Sequence, residues 1–322
     1  MSEEALAAER EERRRKREER RLKREGGAPP PPAAPKPPRP RGRKLGAAAA
    51  LALVFLGVAT IAGLAYKHFH RGSPPPPVVL KTITVTIPEG YSRAQTAEIA
   101  KAEGLRGSYG KASVRSSHLN PAKYGGSGAE SLEGFLFPDT FELEKHASVR
   151  DLVQLQLEDF KRRIEGVDMA YARSKNLTTY DVVTIASMIE REAGLAGQRK
   201  LVAAVVYNRL HEGMPLGIDA TTRFATDNYT RPLTESELAV ESPYNTRTHT
   251  GLPPGPINSP GLASIEAAAH PAKVDYLFYV VEPGACNKLA FSSTEAEFEE
   301  DVARYNSARE AAGGNSPDTC EE

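Results

Sequence analysis

The chain has two cysteines, no tryptophan and no net charge, its 42 Lys and Arg being cancelled by 42 Asp and Glu. Two cysteines cannot build a cysteine metal cluster or a disulfide framework. Cys286 lies in a PGACN turn and Cys320 near the C-terminus, so in an oxidising compartment they are expected to form one disulfide that ties down the chain end. His211, His249 and His270 stand apart, with no H-x-x-x-H or H-E-x-x-H spacing, which argues against a metal site. No phosphate-binding glycine loop, dinucleotide fingerprint or G-x-S-x-G elbow occurs, so no cofactor and no serine nucleophile is expected. The zero balance hides an asymmetry. Residues 1–44 carry 15 basic and 8 acidic residues, and the remainder carries 27 and 34. A nucleic-acid binder needs its basic surplus on the folded part, and the surplus here lies ahead of it.

The basic residues instead precede an uncharged run, Leu45 to Tyr66. At ~1.5 Å per residue this run can span a ~30 Å hydrocarbon layer. Arg41, Arg43 and Lys44 before it outweigh the flank behind it, which predicts a cytoplasmic N-terminus and an extracytoplasmic remainder. The basic region is too long and the apolar part too extended for a cleaved signal peptide. The predicted organisation is a charged and Pro-rich tail (1–44), a membrane span (45–66), a small β/α part (67–106), a Gly/Ser-rich linker (107–131), a packed α+β domain (132–310) and a tail (311–322). The charged tail has no apolar stripe, so it reads as solvated and partly helical, with contact to anionic lipid as the sharper alternative. In the packed domain, helices are expected over 149–165, 178–193, 200–210, within 260–271, and after Thr294. Residues 276–281 and 289–291 read as a hairpin, and 211–260 as a long polar loop of the kind that carries function.

The stretch TTYDVVTIASMIEREAG (178–194) carries two glutamates near its end. Thr178 and Asp181 fit a capping box, and Val182, Val183, Ile185, Ala186 and Ile189 mark one buried face. Glu190 and Glu192 fall on opposite rims of that face, at ~100° per residue. A partly desolvated acid sits at such a rim, and so does an ordinary boundary glutamate; the pattern does not choose between the two residues. With nucleophile, metal and cofactor chemistry set aside, carboxylate chemistry on a sugar remains. Asp219 is a further candidate carboxylate, and Asn208, Thr221, Tyr244 and Asn245 belong to a polar and aromatic set able to hydrogen-bond or stack on sugars, though a turn or capping role suits each alone. A Glu190–Asp219 hydrolytic pair stays open on these grounds.

Six blocks in order then carry a resemblance: TIPEGYS (86–92), LEGFLFPDTF (132–141), TIASMIEREA (184–193), VVYNRL (205–210), MPLGIDAT (214–221) and SPYNTRTHTGLPPGPINSPG (242–261). Over residues 85–305 the sequence resembles the YceG-like (MltG) endolytic murein transglycosylases of bacteria. The resemblance implies a single-pass inner-membrane protein whose outer α+β domain cleaves nascent peptidoglycan glycan strands between MurNAc and GlcNAc, leaving 1,6-anhydroMurNAc ends. It implies Glu190 as the catalytic residue and a supporting or substrate-binding role for Glu192, Asn208, Asp219, Thr221, Tyr244 and Asn245. It also implies peptidoglycan synthases (penicillin-binding proteins) as partners, and a LysM-like fold for residues 67–106. The sequence departs from the family there, with only about a dozen residues between the Pro run and the IPEG turn. A non-enzymatic peptidoglycan-binding scaffold is the alternative.

Overall fold

The computed structural model describes residues 56–64, 66–67 and 81–317. The chain divides into two compact units, residues 1–77 and 78–322. In the first, residues 56–64 are helical; the rest of the predicted 45–66 span, Tyr66 excepted, lies outside the described residues, as does the tail 1–44. Among the described residues no helix is long and apolar enough to cross a membrane.

The second unit opens with β1 (Thr82–Thr86), which pairs antiparallel along its whole length with β2 (Thr140–Glu144), Thr82 opposite Glu144 and Thr86 opposite Thr140. Between them lies α1 (Arg93–Ala102), whose start is fixed by a Ser92–Gln95 capping box. Residues 107–131, read as a linker, are themselves packed. They hold the short α2 (Tyr109–Ala112) and a 3-10 turn at Pro121–Tyr124. Tyr109 is buried and its hydroxyl donates to Gln156 Oε1 at 2.7 Å; Leu119 is buried too. Scattered single anchors of this kind have no period, so the sequence pattern hides them.

After β2 come α3 (Val149–Ile164), α4 (Ala170–Ser174), α5 (Thr179–Glu192), α6 (Arg199–Glu212), α7 (Asp219–Thr226), α8 (Glu235–Leu238) and α9 (Leu262–Ala269). The hairpin β3 (Phe278–Val281) and β4 (Leu289–Ser292) and the closing α10 (Glu295–Ala311) complete the mixed helix and strand content expected of an α+β chain. The region 211–260 is less irregular than its composition suggested, since α7 and α8 lie inside it. α10 rests Phe298, Val302 and Tyr305, all half-buried, on one side, with the Phe298 and Phe278 rings stacked at 4.9 Å. Pro317 O accepts from Gly284 N at 3.0 Å, which brings the end of the described chain to the turn that carries Cys286. Cys320 lies outside the described residues.

α5 is the centre of this unit. α9 and α6 pack on it, and every residue from Val182 to Ile189 is buried. The expectation of a single buried face is therefore corrected for the middle of the helix: Val182–Ile189 are covered on all sides, while Arg191 beyond them is exposed. Its polar positions survive burial because they bond within the helix. Thr184 Oγ1 donates to Tyr180 O at 2.9 Å and Ser187 Oγ to Thr184 O at 2.7 Å. The LEGFLF segment closes one end, with Phe135 fully buried against Phe160 (4.9 Å, edge on) and stacked over Tyr180. Phe135→Ala should cost ~3–5 kcal/mol, because three rings lose a common neighbour and the site cannot collapse. Chemical denaturation measures this, and a cost under ~1 kcal/mol would remove Phe135 from the core.

Candidate active site

Carboxylates in the last turn of a helix oppose its dipole, so two of them at the end of α5 run against local preference. Each is rescued by a different neighbour. Glu190 is turned toward α9. Its Oε2 accepts the N–H of Gly261, the residue that caps α9, at 2.9 Å. Its Oε1 lies 3.7 Å from Nη2 of Arg199, and only 7% of its side chain is exposed. Arg199 is itself held by Ser264, its Nε donating to Oγ at 3.1 Å. The positive end of α9 and one guanidinium thus face Glu190 from the same side.

The loop that presents Gly261 is pinned to α5. Ser187 Oγ accepts from Ile257 N at 3.1 Å, and Asn258 Nδ2 donates to Ser187 O at 2.7 Å. Asn258 Oδ1 is buried and has no hydrogen-bond partner. From the other side comes the IPEG turn: Gly90 N donates to Ser259 O at 2.9 Å, and Ser259 N to Tyr91 O at 3.0 Å. Gly90 adopts φ +75°, and a Cβ there would sit 3.3 Å from Glu190 Cγ. The turn therefore needs glycine both for its conformation and for the close approach.

Glu192 faces away, toward the hairpin and α7. Its Oε2 accepts from Tyr279 OH at 3.0 Å. It keeps a rim of accessible surface, yet the packing is dense enough that desolvation raises its pKa; Asp219 raises it too, while the Tyr279 hydroxyl and the Ala220 N–H oppose the shift. Tyr279 is pushed well above the usual phenol range, by burial first and by Glu192 next. Asp219 opens α7 and pairs with Arg247. Glu192 therefore locks α7, the hairpin and α5 together and does not share a cluster with Glu190.

The other candidate residues divide. Asn208 donates through Nδ2 to Val274 O (2.9 Å) and Tyr276 O (2.8 Å), anchoring the strand entry. Thr221 and Asn245 are fully buried, with Thr221 Oγ1 bonded to Ile218 O and Asn245 Nδ2 to Leu238 O and Val240 O. Their polar atoms are used inside the protein, so these three shape the loops. Tyr244 is half-buried against Phe224 (4.9 Å), and burial pushes its hydroxyl up to about 12. Sequence reasoning missed Glu89, Arg199 and Gly261, although IPEG and NSPG lie within the quoted blocks; what it lacked was the fold that joins them. Among the described residues no group of three or more His, Cys, Asp or Glu is placed to hold a metal ion.

The YceG-like family matches residues 65–304, roughly three quarters of the chain. This chain belongs to the YceG-like family. An endolytic murein transglycosylase of Bacillus subtilis (strain 168) is 35% identical over 180 residues, 56% of this chain and 47% of the relative. One of Streptococcus pneumoniae (strain ATCC BAA-255 / R6) is 29% identical over 265 residues, covering 74% of this chain and 47% of its own. This YceG-like chain thus spans about half the length of the curated relatives it matches. A crystal structure of a yceG-like protein from Listeria monocytogenes superposes with a TM-score of 0.60 at 29% identity, over 67% of this chain and 75% of that one.

Proposed function

We propose that this YceG-like chain is a membrane-anchored lytic transglycosylase that cleaves nascent peptidoglycan glycan strands. The observation that carries the reading is Glu190: a carboxylate 7% exposed, held between Gly261 N–H and Arg199, inside the family match. Glu190 first gives its proton to the glycosidic oxygen as the bond from MurNAc C1 to that oxygen breaks. As a carboxylate it then takes the proton of the muramyl 6-hydroxyl, whose oxygen bonds to C1 and closes the 1,6-anhydro ring. The proton returns to Glu190, and no water or second reactant is consumed. The charged Arg199 and the Gly261 N–H suit the carboxylate that exists between the two steps.

Anchoring rests on the 45–66 run and on the helical stretch at 56–64, where Leu56, Val58, Ile61 and Leu64 stand exposed. With the tail 1–44 in the cytoplasm, the second unit works outside, beside the peptidoglycan synthases that supply its substrate. In that oxidising compartment Cys286 and Cys320 form one disulfide. The test is product analysis: purified full-length protein is incubated with uncross-linked glycan strands, and the ends are read by mass spectrometry. Anhydromuramyl ends are expected. Reducing ends only would move the reading to hydrolysis, and no new ends at all would move it to a scaffold.

A further inference from the structure

The IPEG turn brings a second carboxylate to Glu190. A Cβ built on Gly261 would fall 2.0 Å from Glu89 Oε1 and 2.1 Å from its Cδ, so the Glu89 carboxyl lies directly over Gly261. The N–H of that same Gly261 holds Glu190 Oε2 at 2.9 Å. The next residue of the turn, Gly90, lies against the Glu190 stem. Glu89 and Glu190, 101 positions apart, therefore share one backbone position and one cation, Arg199. The turn is not free to drift, since two backbone bonds strap it to Ser259. Glu89 forms no ion pair of its own among the described residues and remains exposed on its outer side.

We propose that Glu89 is a positioning residue of the transglycosylase site, whose negative charge lies across Gly261 from Glu190 and acts through it against the positive Arg199 and α9 N-terminus. The inference rests on the reading of Glu190 as the acid and base of the reaction. Its physical reason is a conflict. Arg199 and the α9 N-terminus favour a negative Glu190, which suits the second half of the reaction and hinders the first. A second carboxylate across Gly261 restores the balance by setting a negative charge against that positive side. Burial raises the pKa of Glu89; Glu190 raises it further, and Arg199 lowers it. The charged groups facing the pair are Arg199 from α6 and Arg191 from α5, whose stem packs on Gly90; the loop 258–261 adds none.

Glu89→Gln keeps the shape and removes the charge. In the full-length protein it should lower kcat roughly tenfold with KM little changed, and shift the pH profile of kcat. Glu89→Asp, which keeps the charge on a shorter stem, should recover part of both effects. A loss of activity with an unmoved profile would make Glu89 merely structural and overturn the proposal. A second measurement needs no turnover. With 13C-labelled glutamate in the full-length protein, the Glu89 carboxyl should titrate at lower pH in Glu190→Gln than in wild type. An unchanged Glu89 titration would sink the coupling, even with anhydro ends formed. A shifted titration without anhydro ends would uphold the coupling and overturn the enzymatic reading.

Discussion

Glu190→Gln should abolish anhydromuramyl ends, with a rate loss on the order of a thousandfold, while the protein keeps its melting temperature within a few degrees. The substitution is isosteric. The amide oxygen can still accept from Gly261 N–H, and Arg199 keeps its 3.1 Å bond to Ser264. In the proposed mechanism, what is lost is the proton that leaves with the glycosidic oxygen and the carboxylate that collects the next one, and an amide can do neither. Glu192→Gln is the control from the same helix turn. Its partners, the Tyr279 hydroxyl and the Ala220 N–H, are both donors, so an amide oxygen replaces the carboxylate in kind. Activity should fall less than about tenfold, by slackening of α7 against the hairpin. Mass spectrometry of the released strands separates the two. Full activity in Glu190→Gln beside a dead Glu192→Gln would reverse the assignment.

The two glutamates show how far the sequence reaches. Local signals read well: the Thr178–Asp181 and Thr294–Glu297 capping boxes start α5 and α10 where they were placed, because a cap is chemistry over four residues. The surroundings of α5 were misjudged, since Thr184 and Ser187 look like surface residues until their hydroxyls are seen bonded to their own helix. α7 escaped notice because its residues, DATTRFAT, include a single large apolar side chain, Phe224; it is held by tertiary contacts, with Thr221 and Thr222 buried against the 244–248 loop. The family motifs could single out Glu190, but not Glu89. That residue reads as part of a turn, and only the strap between Gly90 and Ser259 places it over Gly261.

Glu133→Gln should make the protein more stable at pH 8 while leaving it nearly unchanged near pH 4.5. Glu133 follows the first residue of the LEGFLF block and is buried, with both carboxyl oxygens 3.1 Å from the N–H of Arg93 at the start of α1. That amide, the Gly134 N–H and the Arg93 charge all favour the carboxylate. Burial outweighs them and raises its pKa from 4.5 to about 7. The sign follows from the raised value. The folded state prefers the protonated acid, so its contribution is whole below pH 4.5 and is lost as pH rises through about 7. At ~1.4 kcal/mol per tenfold of proton affinity, the loss is on the order of 3 kcal/mol, against a typical total of ~5–15. Glutamine resembles the protonated acid and does not titrate, so it escapes the loss. Comparing variant with wild type at each pH cancels every other carboxylate, including Glu237, which Arg231 holds down near 2 and which therefore acts in the opposite sense. Denaturant midpoints at pH 4.5 and 8 measure the difference. A gap between the two proteins that does not change with pH would mean that Glu133 is already charged in the fold, with Arg93 and the α1 N-terminus supplying more than its burial takes away.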